Sequence, residues 1–321
     1  MAADEKNARS TRRVLVIFPG ALGDLMCLMP ALAAISRRHP GASIELMARL
    51  ELARLAAGRS VVARGHSIDA REVGELFADE TSGGARRFFG EFERIYSFFA
   101  SDDAQFRARL EAATSGEVSF HPFRPTGDGH VSTGYLQAID AGGSPIDTRL
   151  EPTPDDLAAA SRVLAESKCD SSNLIVIFPG SGSAGKNWPA EKFAALPSDS
   201  ALNDKEASCL VVLGPAEASI EPIFREARVA VLKDLDLPIV AAIARLATAF
   251  VGNDSGVSHL AAAVGAPGVV IFGPTDPARW RPRGPGGDAQ IAILRREPID
   301  SIEPCEVAGA LSKFVERRQR Y

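Results

Sequence analysis

Cysteine is scarce and unpaired in this chain. Cys27, Cys169, Cys209 and Cys305 are widely spaced over 321 residues and form no C-x-x-C pair. That excludes a disulfide framework and a thiolate zinc site, and leaves free thiols of a reducing compartment. The five histidines, His39, His66, His121, His130 and His259, form no H-x-x-x-H pair, so the sequence offers no metal centre. No G-x-S-x-G elbow follows a strand-like run, which argues against a serine hydrolase; Phe178-Pro179-Gly180-Ser181 is not one. The G-x-G-x-x-G fingerprint is missing after the first strand, which weakens a dinucleotide-binding dehydrogenase. A net charge of −5 speaks against a general nucleic-acid partner. There is no short-period repeat and no heptad run.

Long uninterrupted apolar runs are absent too. Val14 to Ile35 follows Ser10-Thr11-Arg12-Arg13 and has the look of a twin-arginine signal or a membrane anchor, yet it contains Pro19, Gly20, Gly23, Asp24 and Pro30. A carboxylate near the centre of such a run is costly in lipid. A buried strand, a tight turn and a helix account for it better. Met1 to Thr11 is polar and reads as a loose tail.

What is present fits a soluble α/β protein, with 45% apolar and 24% charged residues. Val14–Phe18 is a continuous apolar strand of the kind buried in a parallel sheet. Apolar residues at helical spacing from Leu25 to Arg38, ended by Pro40-Gly41, predict a helix, and Ser43–Ala48 the next strand. Further strands are expected at Arg94–Phe99 and Glu117–Phe120. Thr81–Gly90 and Pro122–Gly129 read as flexible loops. The second half repeats the pattern, with strands at Leu174–Phe178, Cys209–Leu213, Val229–Leu232, Ala249–Val251 and Gly268–Phe272. Helices fall at Ala190–Leu196, Pro238–Leu246 and His259–Val264. Pro152 and Pro154 mark a linker, giving domains of 1–150 and 151–321. Two Rossmann-like, doubly wound domains facing across a cleft are the economical architecture, with ligands at the carboxyl ends of the strands.

Two loops stand out. In Val251-Gly252-Asn253-Asp254-Ser255-Gly256-Val257-Ser258-His259 a strand stops, a polar knot follows and a small-residue helix begins. Asp254 and Ser255 occupy N-cap positions, and Gly256 permits close approach of the backbone to a bound group. Free N–H groups at such a helix start favour an anion, phosphate above all. The second is Phe178-Pro179-Gly180-Ser181-Gly182-Ser183-Ala184-Gly185-Lys186-Asn187-Trp188-Pro189, a buried strand running into a Gly/Ser loop that ends in lysine. Two phosphate-type loops in one half of the chain point to a diphosphate, hence to a nucleotide-activated substrate. Lys186 would be an ordinary solvated lysine elsewhere; at the mouth of this loop it can neutralise a leaving diphosphate.

The first-half loop, Phe18-Pro19-Gly20-Ala21-Leu22-Gly23-Asp24, ends in a carboxylate. Taken alone, Asp24 reads as an N-cap. With phosphate loops on the opposite domain it reads as a general base. His259 is a packed or capping histidine that could donate a hydrogen bond to a diphosphate. Glu217 follows a strand toward the same cleft. Asp276, in Gly273-Pro274-Thr275-Asp276-Pro277, is a turn former.

The constellation resembles the heptosyltransferase family, glycosyltransferase family 9. Leu22-Gly23-Asp24 is similar to that family's Gly-Asp turn. Phe178 through Pro189 resembles its phosphate loop with Lys-x-Trp-Pro. Asp254 to His259, followed by Phe272-Gly273-Pro274-Thr275-Asp276-Pro277, resembles its Asp-(Ser/Thr)-Gly-x-Ser-His motif and the Gly-Pro-Thr segment after it. Phe178 stands where many members have histidine, and the likeness is weak between about Gly58 and Asp155. The resemblance implies a glycosyltransferase B-type fold, Asp24 as base and Lys186 as the cation at diphosphate and sugar. It places Gly23, Ser181, Gly182, Ser183, Asp254, Ser255, Gly256 and His259 at the donor and Glu217 at its ribose.

The expected reaction is inverting, metal-independent sugar transfer, heptose by default, from a nucleotide-diphosphate sugar to an acceptor hydroxyl. No cofactor is expected beyond that co-substrate. The partners implied are the nucleotide-sugar donor, a glycan or glycolipid acceptor of lipopolysaccharide or other cell-surface glycan synthesis, and the inner membrane surface, touched peripherally from the cytoplasm. Two other readings compete: a nucleotide-sugar epimerase of the same fold and a non-catalytic nucleotide-sugar-binding protein.

Overall fold

The computed structural model describes residues 12–78, 83–146, 148–167, 173–285 and 287–319. The expected tail at Met1 to Thr11 and Cys169 lie outside them. Among the described residues eleven strands form two sheets, and every strand pair is parallel. The first holds β1 (Arg13–Ile17), β2 (Ser43–Ala48), β3 (Arg64–Ser67), β4 (Arg94–Ser97) and β5 (Glu117–Phe120) in the order β3-β2-β1-β4-β5. The second holds β6 (Leu174–Phe178), β7 (Ser208–Leu213), β8 (Ala230–Lys233), β9 (Ala249–Asn253), β10 (Gly268–Phe272) and β11 (Ile291–Arg295) in the order β11-β10-β9-β6-β7-β8. Counted from its own first strand, this is the 3-2-1-4-5-6 order of the Rossmann sheet.

The central strands carry apolar runs because neighbours flank them on both edges and helical segments alternate with them. All of β6 and β10 is buried, as are the last four residues of β1. One apolar cluster forms around Ile175, Ile177, Val211, Val251 and Val269, another around Leu15, Ile17, Phe89, Ile95 and Phe106.

Contacts divide the described chain into two compact units, one within Met1–Pro19 and Ala31–Arg124, the other within Gly20–Pro30 and Pro125–Tyr321. The helix Leu22–Arg38 thus gives its start to the second unit. Residues 125–150, assigned by sequence to the first half, also pack in the second. Arg279 holds them there, donating through Nη2 to the Pro125 carbonyl at 2.9 Å and through Nη1 to that of Gly127. His130 caps the helix Val131–Ala138, and its Nε2 bonds the Arg281 carbonyl at 2.9 Å. Pro122–Gly129 forms no helix or strand, as expected of a loop.

Three expectations change. Pro152 and Pro154 are not a linker but a helix start. Thr153 and Asp156 form a reciprocal capping box, and Pro154 takes the first turn of Pro154–Glu166, where its missing N–H costs nothing. The described part of Thr81–Gly90 is the helix Gly83–Phe89, not a flexible loop. Glu75 accepts the Ala85 N–H at 2.8 Å, and Phe89 is fully buried, so tertiary burial outweighs the Gly-Gly start. The strands β3 and β11 are additions. Both are edge strands: β3, Arg64-Gly65-His66-Ser67, has no apolar run, whereas β11 carries a short one in Ile291-Ala292-Ile293-Leu294 with only Ile291 buried.

Candidate active site

In the second sheet β6 and β9 lie side by side, and the strands that follow each run outward in opposite directions. That makes their carboxyl ends the switch point where open α/β sheets bind ligands. The loops at this point are the two picked out by sequence. After β9 the chain passes through Asp254 and Ser255 into the helix Gly256–Ala263. Ser255 alone is the cap, its hydroxyl accepting the Ser258 N–H at 3.5 Å.

Asp254, expected as a second capping side chain, faces elsewhere. Its Oδ2 lies 2.7 Å from Lys186 Nζ; the carboxylate is 6% exposed and the ammonium side chain 33%. Lys186 is therefore not a lone cation at a loop mouth. It enters the site already paired. No α-helix starts directly after Ser181 either. Gly182 and Ser183 are exposed, the Ser181 hydroxyl donates to the Ser183 carbonyl at 2.8 Å, and one 3-10 turn, Ala184–Lys186, ends the loop. The helix Ala190–Ala195 begins only beyond Pro189. Glu217 Oε2 accepts the Gly214 N–H at 2.8 Å. A Cβ built at Gly180 would stand 2.2 Å from its Oε1, so Gly180 makes room for this carboxylate at the base of the loop.

The Gly23-Asp24 turn packs in the same unit as these loops rather than on an opposite domain. A Cβ at Gly256 would fall 2.9 Å from Leu22 Cβ and 3.0 Å from Gly23 N, and one at Gly23 would meet His259 Cδ2 and Gly256 Cα at 3.5 Å. Two helix starts therefore abut here. Asp24 is a helix-start residue: it is 9% exposed, and its Oδ2 accepts the Ala21 N–H at 3.1 Å. Oδ1 has no hydrogen-bond partner among the described residues and is the atom open to a base role.

His259 is buried beneath this junction. Burial, above the nearby charges, pushes its pKa down to about 4, so the ring is neutral at neutral pH; it also hydrogen-bonds the Trp280 backbone. Its Nδ1 lies 3.9 Å from Cys27 Sγ. Burial first, then the Asp24 carboxylate, push the Cys27 thiol up to about 12, which leaves an inert S–H against a neutral imidazole. His259 is thus packed beside Gly23 in the neutral form.

Lys186 with Asp254, Gly23 with Gly256 and His259, and Glu217 with Gly180 are the groupings the structure makes. Gly182 and Ser183 remain exposed at the loop tip. Sequence reasoning passed over Asn253 and Arg283. Asn253 carried a readable signal, a polar residue closing an apolar strand just before the motif. Arg283 carried none; its positive charge acts on Cys27, and its buried Nε has no hydrogen-bond partner among the described residues. Asp276 does cap the helix Pro277–Trp280, accepting the Ala278 N–H at 3.0 Å. Among the described residues no disulfide joins Cys27, Cys209 and Cys305.

A parallel α/β unit with anion-directed helix starts at its switch point, and a carboxylate and a cation placed there, suits transfer from a nucleotide-activated donor. Residues 138–301 match the model of glycosyltransferase family 9 (heptosyltransferase). The chain is 23% identical over 328 residues to lipopolysaccharide heptosyltransferase 1 of Escherichia coli O18:K1:H7, the match covering 95% of this chain and 97% of that protein. A family 9 glycosyltransferase structure from Veillonella parvula superposes with a TM-score of 0.75 at 17% identity, covering 95% and 98% of the two chains. The E. coli ADP-heptose lipopolysaccharide heptosyltransferase II does so with a TM-score of 0.73 at 18% identity, covering 96% and 99%. The chain belongs to glycosyltransferase family 9. It is a glycosyltransferase, which sets aside the epimerase and the non-catalytic binder.

Proposed function

We propose that this enzyme transfers heptose from a nucleoside-diphosphate heptose, ADP-heptose by analogy with the relatives' names, to a hydroxyl of a lipopolysaccharide-core acceptor, with inversion at the anomeric carbon. The observation that carries the site assignment is the Lys186–Asp254 pair at the sheet's switch point, in the unit that also holds Asp24. Asp24 Oδ1 takes the acceptor hydroxyl proton as that oxygen attacks the anomeric carbon from the face opposite the diphosphate. The bond from that carbon to the diphosphate oxygen breaks, and its electron pair leaves with the nucleoside diphosphate. The Lys186 ammonium and the N–H groups opening the helix Gly256–Ala263 receive the growing negative charge. Gly23, Ser181, Gly182 and Ser183 border the diphosphate, and Glu217 accepts from the ribose. Buried and neutral, His259 supports Gly23 and Gly256.

This chemistry needs no divalent cation where a lysine and helix ends supply the positive field. On this proposal the enzyme lies in the cytoplasm, peripheral to the inner membrane, because that is where a glycolipid acceptor would sit. The test is a panel of nucleoside-diphosphate sugars with heptose-free lipopolysaccharide core as acceptor, run with and without excess EDTA and read by mass spectrometry and by NMR of the new anomeric linkage. Transfer of heptose with inversion in EDTA is expected. Transfer of another sugar only, retention, or activity that needs added magnesium or manganese would overturn the corresponding part.

A further inference from the structure

Asn253 closes β9 and is 0% exposed. Its Nδ2 donates to the Pro179 carbonyl at 2.7 Å, and its Oδ1 accepts the Trp188 N–H at 3.0 Å. Pro179 and Trp188 are the two ends of the loop that carries Lys186. One amide therefore fastens both ends of that loop to the strand that delivers Asp254. The backbone of Asn253 is fastened in turn, its carbonyl accepting the Ser258 hydroxyl at 2.7 Å from within the capped helix. Gly252 must lack a side chain for this: a Cβ there would stand 2.6 Å from Ser258 Oγ and 3.0 Å from the Phe178 carbonyl.

The chemistry of the clamp is specific to an amide. It needs a donor and an acceptor on one short planar group, serving a carbonyl at one end of the loop and an N–H at the other. A carboxylate supplies two acceptors and turns one lone pair against the Pro179 carbonyl. A serine is too short to serve both. Between these ends Gly182, Ser183, Ala184 and Gly185 are exposed, and the backbone is shaped by the Ser181 hydroxyl on Ser183 and the turn Ala184–Lys186; beyond it Trp188 is buried, its Nε1 donating to the Ile302 carbonyl at 3.0 Å.

We infer that Asn253 is a positioning residue for sugar transfer, acting through Lys186: by tying both loop ends to β9 it sets the ammonium on Asp254 and at the place where charge develops on the leaving diphosphate. The inference rests on the role proposed for Lys186. Displacement of a catalytic group by about 1 Å costs on the order of 100-fold in rate, so a clamp of this kind acts on turnover more than on donor affinity.

The experiment is a double-mutant cycle on the full chain. It measures kcat, KM for the nucleoside-diphosphate sugar and thermal midpoint in wild type, N253D, K186A and N253D/K186A, with N253S in place of N253D should the latter not fold. The expected result is a fall in kcat for N253D on the order of 10- to 100-fold, with a much smaller change in KM. The double variant should be no slower than K186A alone, because both changes disable the same cation. A loss for N253D that multiplies with that of K186A would overturn the clamp and make Asn253 a fold residue. So would an unchanged kcat in both Asn253 variants. An unchanged kcat for K186A would overturn the Lys186 role itself and this inference with it, and that arm is read from the single variant.

Discussion

Lys186 Nζ lies 2.7 Å from Asp254 Oδ2, joining residues that are 68 apart in sequence across the ends of two adjacent strands. A lysine ammonium has three donors, so one can stay on Asp254 while the others turn to a diphosphate. In the proposed mechanism the pair orients the cation before substrate arrives, and Asp254 tempers the ground-state attraction. Lys186→Ala should then lower turnover by roughly 10²–10³-fold, the cost of losing one donor aimed at developing charge, and weaken nucleoside-diphosphate binding less. Asp254→Asn added to Lys186→Ala should recover nucleotide binding, because it removes a carboxylate left facing the phosphates, and should not recover turnover. Lys186→Arg should rescue only in part, since a planar fork does not replace a point charge. Turnover and calorimetric nucleotide affinity check all three. Unchanged turnover in Lys186→Ala would return the lysine to a surface ion pair.

Asp24→Asn separates the two roles open to this residue. Asparagine keeps a side-chain oxygen for the Ala21 N–H, so the helix start survives the change. What it loses is basicity. The variant should fold with a near-normal thermal midpoint, bind donor as wild type does, and turn over roughly 10²–10⁴-fold more slowly. Normal turnover in the folded variant would leave Asp24 a helix-start residue and nothing more.

The parts of the fold legible in the sequence are those where one physical cause dominates. Leu174–Phe178 and Gly268–Phe272 are buried over their whole length, and their apolar runs mark them without ambiguity. The strand Arg64-Gly65-His66-Ser67 has no such run. It exists because β2 offers a paired edge and because Gly65 lets the helix Leu50–Ala56 approach; a Cβ there would stand 2.5 Å from the Ala53 carbonyl oxygen. The site divides the same way. Local loop chemistry picked out Gly23-Asp24, the Ser181–Lys186 loop and Asp254–His259. Which of these side chains meet depends on strand order, since β6 beside β9 is what sets Lys186 against Asp254. Nothing in the residues near Asp24 told that Gly20–Pro30 packs with the second unit.

Acid should loosen the first sheet. Glu45 is buried, with Arg13 Nε at 2.8 Å and His66 Nε2 at 2.6 Å. Burial alone would raise its pKa, but the hydrogen bonds from His66 and Arg13 outweigh that and hold it at about 2, against an ordinary 4.5. A carboxyl held low in the folded state adds stability that is complete above its unfolded value and is lost as pH falls from about 4.5 toward 2. The contribution is on the order of 3 kcal/mol. Urea unfolding at pH 7 and pH 3.5 should show wild type losing more stability than Glu45→Gln does over the same interval. Equal losses would mean that the cluster does not govern acid stability.

Gly23 and Gly256 face each other at the junction of two helix starts, and their surroundings predict opposite outcomes for the same substitution. A Cβ at Gly256 would stand 2.9 Å from Leu22 Cβ and 3.0 Å from Gly23 N, both fixed atoms, so Gly256→Ala must push the helix starts apart. Overpacking of this kind costs about 1–3 kcal/mol, and the displacement would move Asp24 away from the Asp254 loop, lowering turnover as well. A Cβ at Gly23 would meet Gly256 Cα and His259 Cδ2 at 3.5 Å, ordinary contact, and its backbone is not in the left-handed region. Inside the helix Leu22–Arg38 alanine is favoured over glycine by about 0.5–1 kcal/mol. Gly23→Ala should therefore be as stable as wild type or more so. Its activity then reads the donor directly: if the diphosphate approaches the Gly23 backbone, the added methyl should raise KM for the nucleotide sugar while the thermal midpoint holds. Unchanged KM in a stable Gly23→Ala enzyme would remove Gly23 from the donor site and leave its role as the close partner of Gly256.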